Sequence, residues 1–129
     1  MTLPPIEQQV TFLYVADLAA SARFYGELIG LEQVLDQGAC RIFRVAGEGF
    51  LGLCTSRKRA VVPEGVTVTF VTPEVDRWHD RLAAAGAVIE TPPKENPRFS
   101  IYNFFARDPD GYLLEFQRFL DPAWPVAKR

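Results

Sequence analysis

The chain predicts an α+β fold of two tandem β-α-β-β-β modules, and three observations carry that reading. Val10-Thr11-Phe12-Leu13-Tyr14-Val15 lines up with Val66-Thr67-Val68-Thr69-Phe70-Val71 at 66 − 10 = 56 positions. Gly30 lands on Gly86 at the same spacing, 86 − 30 = 56. After each glycine come short strand-like runs parted by turn residues. Self-similarity at a fixed offset decides architecture before local propensity does, and two copies are too few for a solenoid. The expected organisation is one domain over residues 1–129, with module one at about 8–56, module two at about 66–119 and a tail at 120–129.

Gln9 to Val15 is β-branched and aromatic, as a strand prefers, and Asp17 is placed to cap the helix that follows. Leu18, Ala22, Tyr25 and Ile29 recur at steps of 4, 3 and 4, one face of a 3.6-residue period, and Gly30 supplies a left-handed stop. Leu31 to Leu35, Cys40 to Val45 and Phe50 to Thr55 read as strands, separated by Asp36-Gln37-Gly38 and Ala46-Gly47-Glu48-Gly49. Arg57 to Gly65 connects the modules. Val66 to Val71 is then a strand. Thr72 is expected to cap a helix with Pro73 at its first position and a buried stripe of Val75, Trp78, Leu82 and Ala85. Ala87 to Thr91 is a strand running into Pro92-Pro93-Lys94-Glu95-Asn96-Pro97, expected to be a mobile rim loop because proline cannot complete a hydrogen-bond ladder. Ser100 to Arg107 and Tyr112 to Phe119 are strands joined by the turn Asp108-Pro109-Asp110-Gly111.

The composition is that of a soluble globular protein: 129 residues, 48% hydrophobic, 23% charged, enough to bury roughly 65–70% of the unfolded surface. A formal charge of −2 and no basic stripe argue against nucleic acid. No apolar stretch approaches the roughly 20 residues of a membrane helix, and no secretory leader is evident, so a cytoplasmic location is expected. Cys40 and Cys54 fall on neighbouring strands and are read as reduced core residues, since a chain without an export signal seldom forms disulfides. The single histidine, His79, lies on the second helix, which leaves no Ser-His-Asp arrangement to propose, and no phosphate-cradling glycine motif follows a strand into a helix.

Val15-Ala16-Asp17-Leu18-Ala19-Ala20-Ser21-Ala22-Arg23-Phe24-Tyr25, running into Leu28-Ile29-Gly30-Leu31, resembles the opening signature of the vicinal-oxygen-chelate superfamily of glyoxalase I, bleomycin-resistance proteins and extradiol dioxygenases. Asp108-Pro109-Asp110-Gly111-Tyr112-Leu113-Leu114-Glu115-Phe116 resembles its closing one. The resemblance spans about residues 8 to 119. It implies cup-shaped mixed sheets with helices outside, a cavity enclosed by the modules' sheets, and a homodimer. It also implies four metal-ligand positions, which fall at Val10, Val66, Leu53 and Glu115. Three of them are hydrocarbon, and valine and leucine offer a divalent cation no donor.

The reading that follows is a protein without metal or cofactor, nearest the bleomycin-resistance type, that sequesters an aromatic or hydrophobic antibiotic or metabolite, with enzymatic activity left undecided. A metal-dependent lyase or dioxygenase with a non-standard ligand set around Glu115 is the alternative. Period-2 alternation from Glu115 turns Leu113, Gln117 and Phe119 inward, with Leu51 and Leu53 on the equivalent strand and Val10, Phe12, Tyr14, Val66, Val68 and Phe70 on the first strands. The candidate ligand-binding residues are Phe12, Tyr14, Leu53, Phe70, Tyr102, Phe104, Leu113 and Glu115, with no catalytic residue assigned. Glu115 serves either as acceptor or counter-ion for the ligand or as the partner of Arg41 or Arg98.

Overall fold

The computed structural model describes residues 2–128. Its elements run β1 (Gln9–Tyr14), α1 (Leu18–Arg23) continuing into a π-turn (Phe24–Leu28), β2 (Glu32–Asp36), β3 (Cys40–Ala46), β4 (Gly49–Cys54), β5 (Thr67–Val71), α2 (Val75–Ala84), β6 (Val88–Asn96), β7 (Ile101–Arg107) and β8 (Leu113–Phe119). They form two compact units, dividing between Val62 and Pro63. Each unit is β-α-β-β-β, as the repeat predicts.

In the first unit the sheet order is β1-β4-β3-β2, with β1 parallel to β4 and the other pairs antiparallel. Leu13, Phe43, Leu51 and Leu53 form the buried side of this sheet, together with Tyr25 and Ala22 from the helix. Asp17 caps α1 as expected, its Oδ1 accepting from the Ala20 N–H at 3.1 Å. Gly30 and Gly86 both adopt positive φ, +80° and +81°, the stop that a side chain would strain.

The second unit repeats the arrangement in the order β5-β8-β7-β6. Its core is an aromatic stack: Phe104 lies parallel to Phe116 at 5.1 Å, Trp78 stacks on Phe116 at 5.4 Å, and Phe70 packs beside it at 5.0 Å. Contacts of this kind add about 0.5–1.5 kcal/mol each beyond burial. His79 meets Phe104 edge-on at 5.3 Å, with Nδ1 3.1 Å from Asp80, and so serves packing. Gly111 N–H donates to Asp108 O at 3.0 Å, closing the predicted turn, and Asp108 Oδ1 accepts from Asp110 and Tyr112 N–H.

Three expectations are corrected. The second helix starts at Val75 and not at Pro73: Glu74 is its N-cap, and Thr72 Oγ1 accepts from the Glu74 N–H one step earlier. The stretch expected to be a mobile loop at Pro92–Pro97 is mostly strand, because β6 runs to Asn96 at the edge of its sheet, where proline removes no ladder bond that a neighbour needs. Register shifts between Ile89 and Lys94 accommodate the two prolines. Cys40 and Cys54 are joined, not reduced, with sulfurs 2.11 Å apart. They are direct cross-strand partners on β3 and β4, with Cα atoms at 4.1 Å, a proximity that spacing along the chain did not reveal.

Among the described residues no helix is long and apolar enough to cross a membrane.

Candidate functional site

Which side chains share a face follows from strand register, and the two helices say which face is covered. In the second unit Phe104 and Phe116 lie under α2, so Leu114, Phe70 and Tyr102 belong to the same side. Glu115 therefore points the other way. Its register partners are Thr69 on β5 and Phe105 on β7, and Leu113, Gln117 and Asn103 share its face.

A polar bracket forms there. Thr69 Oγ1 donates to Glu115 Oε1 at 2.8 Å, and Asn103 Nδ2 donates to Oε2 at 2.7 Å. Asn103 and Gln117 are buried although polar, the setting in which a hydrogen-bond partner is obligatory. Each carboxylate oxygen has one donor, and a carboxylate offers about four acceptor sites, so Glu115 is held in place with acceptor capacity left. Neither Arg41 nor Arg98 is its partner: Arg41 pairs with Asp36 at 3.9 Å, and Arg98 lies over the Phe99 ring at 5.1 Å.

The first unit presents a different surface at the matching place. Val10, Phe12 and Tyr14 share a face with Phe50, Gly52 and Cys54, opposite to the side where Leu51 and Leu53 pack. The Phe12 ring lies on Gly52 so closely that a Cβ at Gly52 would stand 2.3 Å from a ring carbon. Only glycine fits beneath that ring.

Equivalent hydrogen bonds give the structural repeat. Val15 N–H donates to Cys54 O and Thr72 N–H to Gln117 O, so the offsets are 72 − 15 = 57 for the first strand and 117 − 54 = 63 for the last. The helix starts agree, with Asp17 matching Glu74 at 74 − 17 = 57. After the helices Leu31 N–H donates to Tyr25 O and Ala87 N–H to Leu82 O, offsets of 56 and 57. One extra residue therefore lies between Tyr25 and Leu31, where the first helix opens into the π-turn and Ile29 N–H reaches Phe24 O. An insertion in a helix is commonly absorbed as such a π-bulge.

These offsets, 57 for the first strand and 63 for the last, correct the site assignments. The structural mate of Val10 is Thr67 and not Val66, and the mate of Glu115 is Gly52 and not Leu53. A one-residue slip moves a strand's side chains to the other face. Accordingly Leu53 is fully buried in the first core, and Phe70 and Phe104 are in the aromatic stack of the second. Tyr102 also lies on the helix side, its hydroxyl donating to Asp76 Oδ1 at 2.6 Å, and that hydrogen bond, ahead of burial and the Asp76 charge, raises its pKa. Of the eight candidate residues, Phe12 and Tyr14 share one open face in the first unit, and Leu113 and Glu115 share one in the second. Thr69, Asn103 and Gly52 were missed. The caps read from the sequence, Asp17 and Thr72, lie 72 − 17 = 55 apart against the 56 of the glycines, and that discord was the signal that the offset was not constant.

The corrected quartet Val10, Gly52, Thr67 and Glu115 contains one carboxylate and one neutral hydroxyl. It does not fit a four-ligand divalent site, which requires several anionic or imidazole donors. Among the described residues no group of three or more His, Cys, Asp or Glu side chains is arranged to hold a metal.

Two β-α-β-β-β units, each with a helix on one side of a four-stranded mixed sheet, define a glyoxalase-type fold. The chain belongs to the Glyoxalase/Bleomycin resistance protein/Dioxygenase superfamily, whose model matches residues 7–116. Among solved structures it is similar to a lactoylglutathione lyase from Agrobacterium tumefaciens, 27% identical, over 95% of this chain and 100% of that one, with a TM-score of 0.74. A glyoxalase-related enzyme from Fulvimarina pelagi is 26% identical over 94% and 92% of the two chains, with a TM-score of 0.76. A glyoxalase/bleomycin resistance protein/dioxygenase from Nocardioides shares the fold at 22% identity, over 99% and 93%, with a TM-score of 0.71. No curated protein sequence matches the chain.

Proposed function

We propose that this protein binds a small aromatic or hydrophobic molecule, an antibiotic or a metabolite, without a metal, and that it acts as a homodimer that sequesters its ligand. The observation that carries the reading is the Glu115 bracket. A carboxylate fixed by Thr69 and Asn103 and retaining acceptor capacity suits a ligand that presents an N–H, an O–H or a cationic nitrogen. On the same face the half-buried Phe105, the register partner of Glu115 on β7, offers a ring to a flat ligand, and such stacking supplies affinity while one or two polar contacts fix orientation.

The competing reading, a metal-dependent lyase or dioxygenase built around Glu115, is favoured by the likeness to a lactoylglutathione lyase. The donor chemistry of Val10, Gly52 and Thr67 weighs against it. Titration of the purified protein with a panel of planar aromatic compounds carrying amine or amide donors, followed by calorimetry, tests the proposal. Saturable binding weakened about tenfold or more in Glu115→Gln and in Phe105→Ala is expected. No saturable binding across the panel, or stoichiometric metal in the purified protein that is lost in Glu115→Ala, overturns it. Sedimentation equilibrium tests the homodimer, and a monomeric mass at working concentration removes that part.

A further inference from the structure

The residue inserted into the first helix has built something that the repeat alone would not require. A groove of about 370 Å³ lies on the helix side of the first unit, between the π-turn and the outer strands β2 and β3, lined by Arg23, Gly26, Gln33, Arg41 and Phe43 among others. It is on the opposite side of the sheet from Phe12, because Arg41 and Phe43 share the face of Leu53 and Leu51. The volume is within the range of small-molecule sites, about 300–1,000 Å³. Gly26 keeps it open: a Cβ there would already stand 3.2 Å from the Phe43 ring. The insertion thus falls in the segment that forms one wall, and π-bulges are frequent at functional sites.

The polar groups around the groove are under-used. Arg41 Nε is buried without a hydrogen-bond acceptor, and its ion-pair partner Asp36 is 3.9 Å away, too far for a hydrogen bond. A buried donor left unmade is costly, more so on a charged group. Arg23 and the Gln33 amide likewise have no hydrogen bond or ion pair among the described residues. Two guanidiniums border the groove, with Glu27 among its lining residues and Asp36 as the ion-pair partner of Arg41. With two carboxylates beside two guanidiniums, a dianion would meet more repulsion than the arrangement can offset, which leaves a monoanion as the fitting ligand. The floor is apolar, with Phe43, Ala22 and Leu31.

We propose that this groove is a second binding site, for a small monocarboxylic acid whose carboxylate is taken by Arg41 and Arg23 and whose apolar body lies on Phe43. Arginine's fork matches a carboxylate with two parallel hydrogen bonds, and binding turns the Arg41 side chain so that its idle N–H is used. The site is independent of the Glu115 reading, since it uses none of the residues of that face.

The test is a titration of the uniformly ¹⁵N-labelled chain with benzoate, benzyl alcohol and benzylamine, followed by amide chemical shifts. Benzoate is expected to saturate with shifts centred on residues 22–33 and 41–43, and to bind at least tenfold more tightly than benzyl alcohol. Arg41→Gln is expected to weaken benzoate about tenfold. Arg23→Gln, at an exposed position that the fold does not need, lowers affinity severalfold and stands as the second variant should Arg41→Gln fail to fold. Benzylamine binding as well as benzoate, no saturable shift at tens of millimolar benzoate, or benzoate affinity unchanged in Arg23→Gln and Arg41→Gln would each overturn the proposal. Glu115→Gln is expected to leave benzoate binding unchanged, which separates failure of this site from failure of the other.

Discussion

Replacing Gly52 by alanine probes the feature that most distinguishes the first unit from the second. The added Cβ would lie 2.3 Å from a Phe12 ring carbon, whereas carbons in contact settle at about 3.5–4.0 Å, so the ring must retreat by more than about 1 Å. Phe12 is 45% exposed and can swing toward solvent, which puts the cost at the lower part of the usual overpacking range of about 1–3 kcal/mol. Gly52 sits mid-strand with no positive φ, so alanine itself returns about 0.5–1 kcal/mol of chain entropy. The net expectation is a loss of about 0.5–2 kcal/mol in the natural background. With Phe12→Ala in place the obstacle is gone, and the same change should stabilise by about 0.5 kcal/mol. Urea unfolding of the single and double variants, followed by circular dichroism, measures the cycle. A Gly52→Ala effect of the same sign and size in both backgrounds would show that the ring does not rest on Gly52, and the account of that face would fall.

Phe116→Ala, which removes the ring between Phe70, Trp78 and Phe104, should cost about 3–5 kcal/mol and abolish much of the near-ultraviolet circular dichroism; a loss below 1 kcal/mol would deny the stack its structural role. Glu115→Ala leaves the buried Asn103 amide without its acceptor and should cost about 1–3 kcal/mol in urea unfolding, with Glu115→Gln costing less. Because the Tyr102 pKa is raised by the Asp76 hydrogen bond, its contribution to stability is complete below the unfolded tyrosine value near 10.0 and is lost as pH rises through the higher folded value. Thermal midpoints should therefore fall more steeply above pH 10 in the natural protein than in Tyr102→Phe, and identical slopes would count against that bond. Iodoacetamide under denaturing, non-reducing conditions should label neither Cys40 nor Cys54, and both after reduction; mass spectrometry reads the outcome.

Much of the architecture was legible because it is written in local chemistry. The β-branched and aromatic run of Gln9 to Val15, the Asp17 cap, the two glycine stops at positive φ and the Asp108-Gly111 turn each act within a few residues, and each appears as expected. The extent of β6 was not legible, since whether Pro92 and Pro93 break a strand depends on whether that strand has a neighbour on both sides. The pairing of Cys40 with Cys54 was hidden for a similar reason: it depends on the β3-β4 register, not on their separation of 14 residues.

The sequence alone determined the duplicated β-α-β-β-β plan and the family signatures at either end, because residue identity and short-range periodicity suffice for both. Only the tertiary structure decided which face each strand presents. A strand's side chains alternate with a period of two, so the single residue absorbed by the π-turn, which moves the first-strand match from 56 to 57, reverses the faces carried from β1 to β5. The fold packed Leu53, Phe70 and Phe104 into the cores of their units, and the β5-β8-β7 register brought Thr69 and Asn103 to Glu115 from strands far apart in the chain.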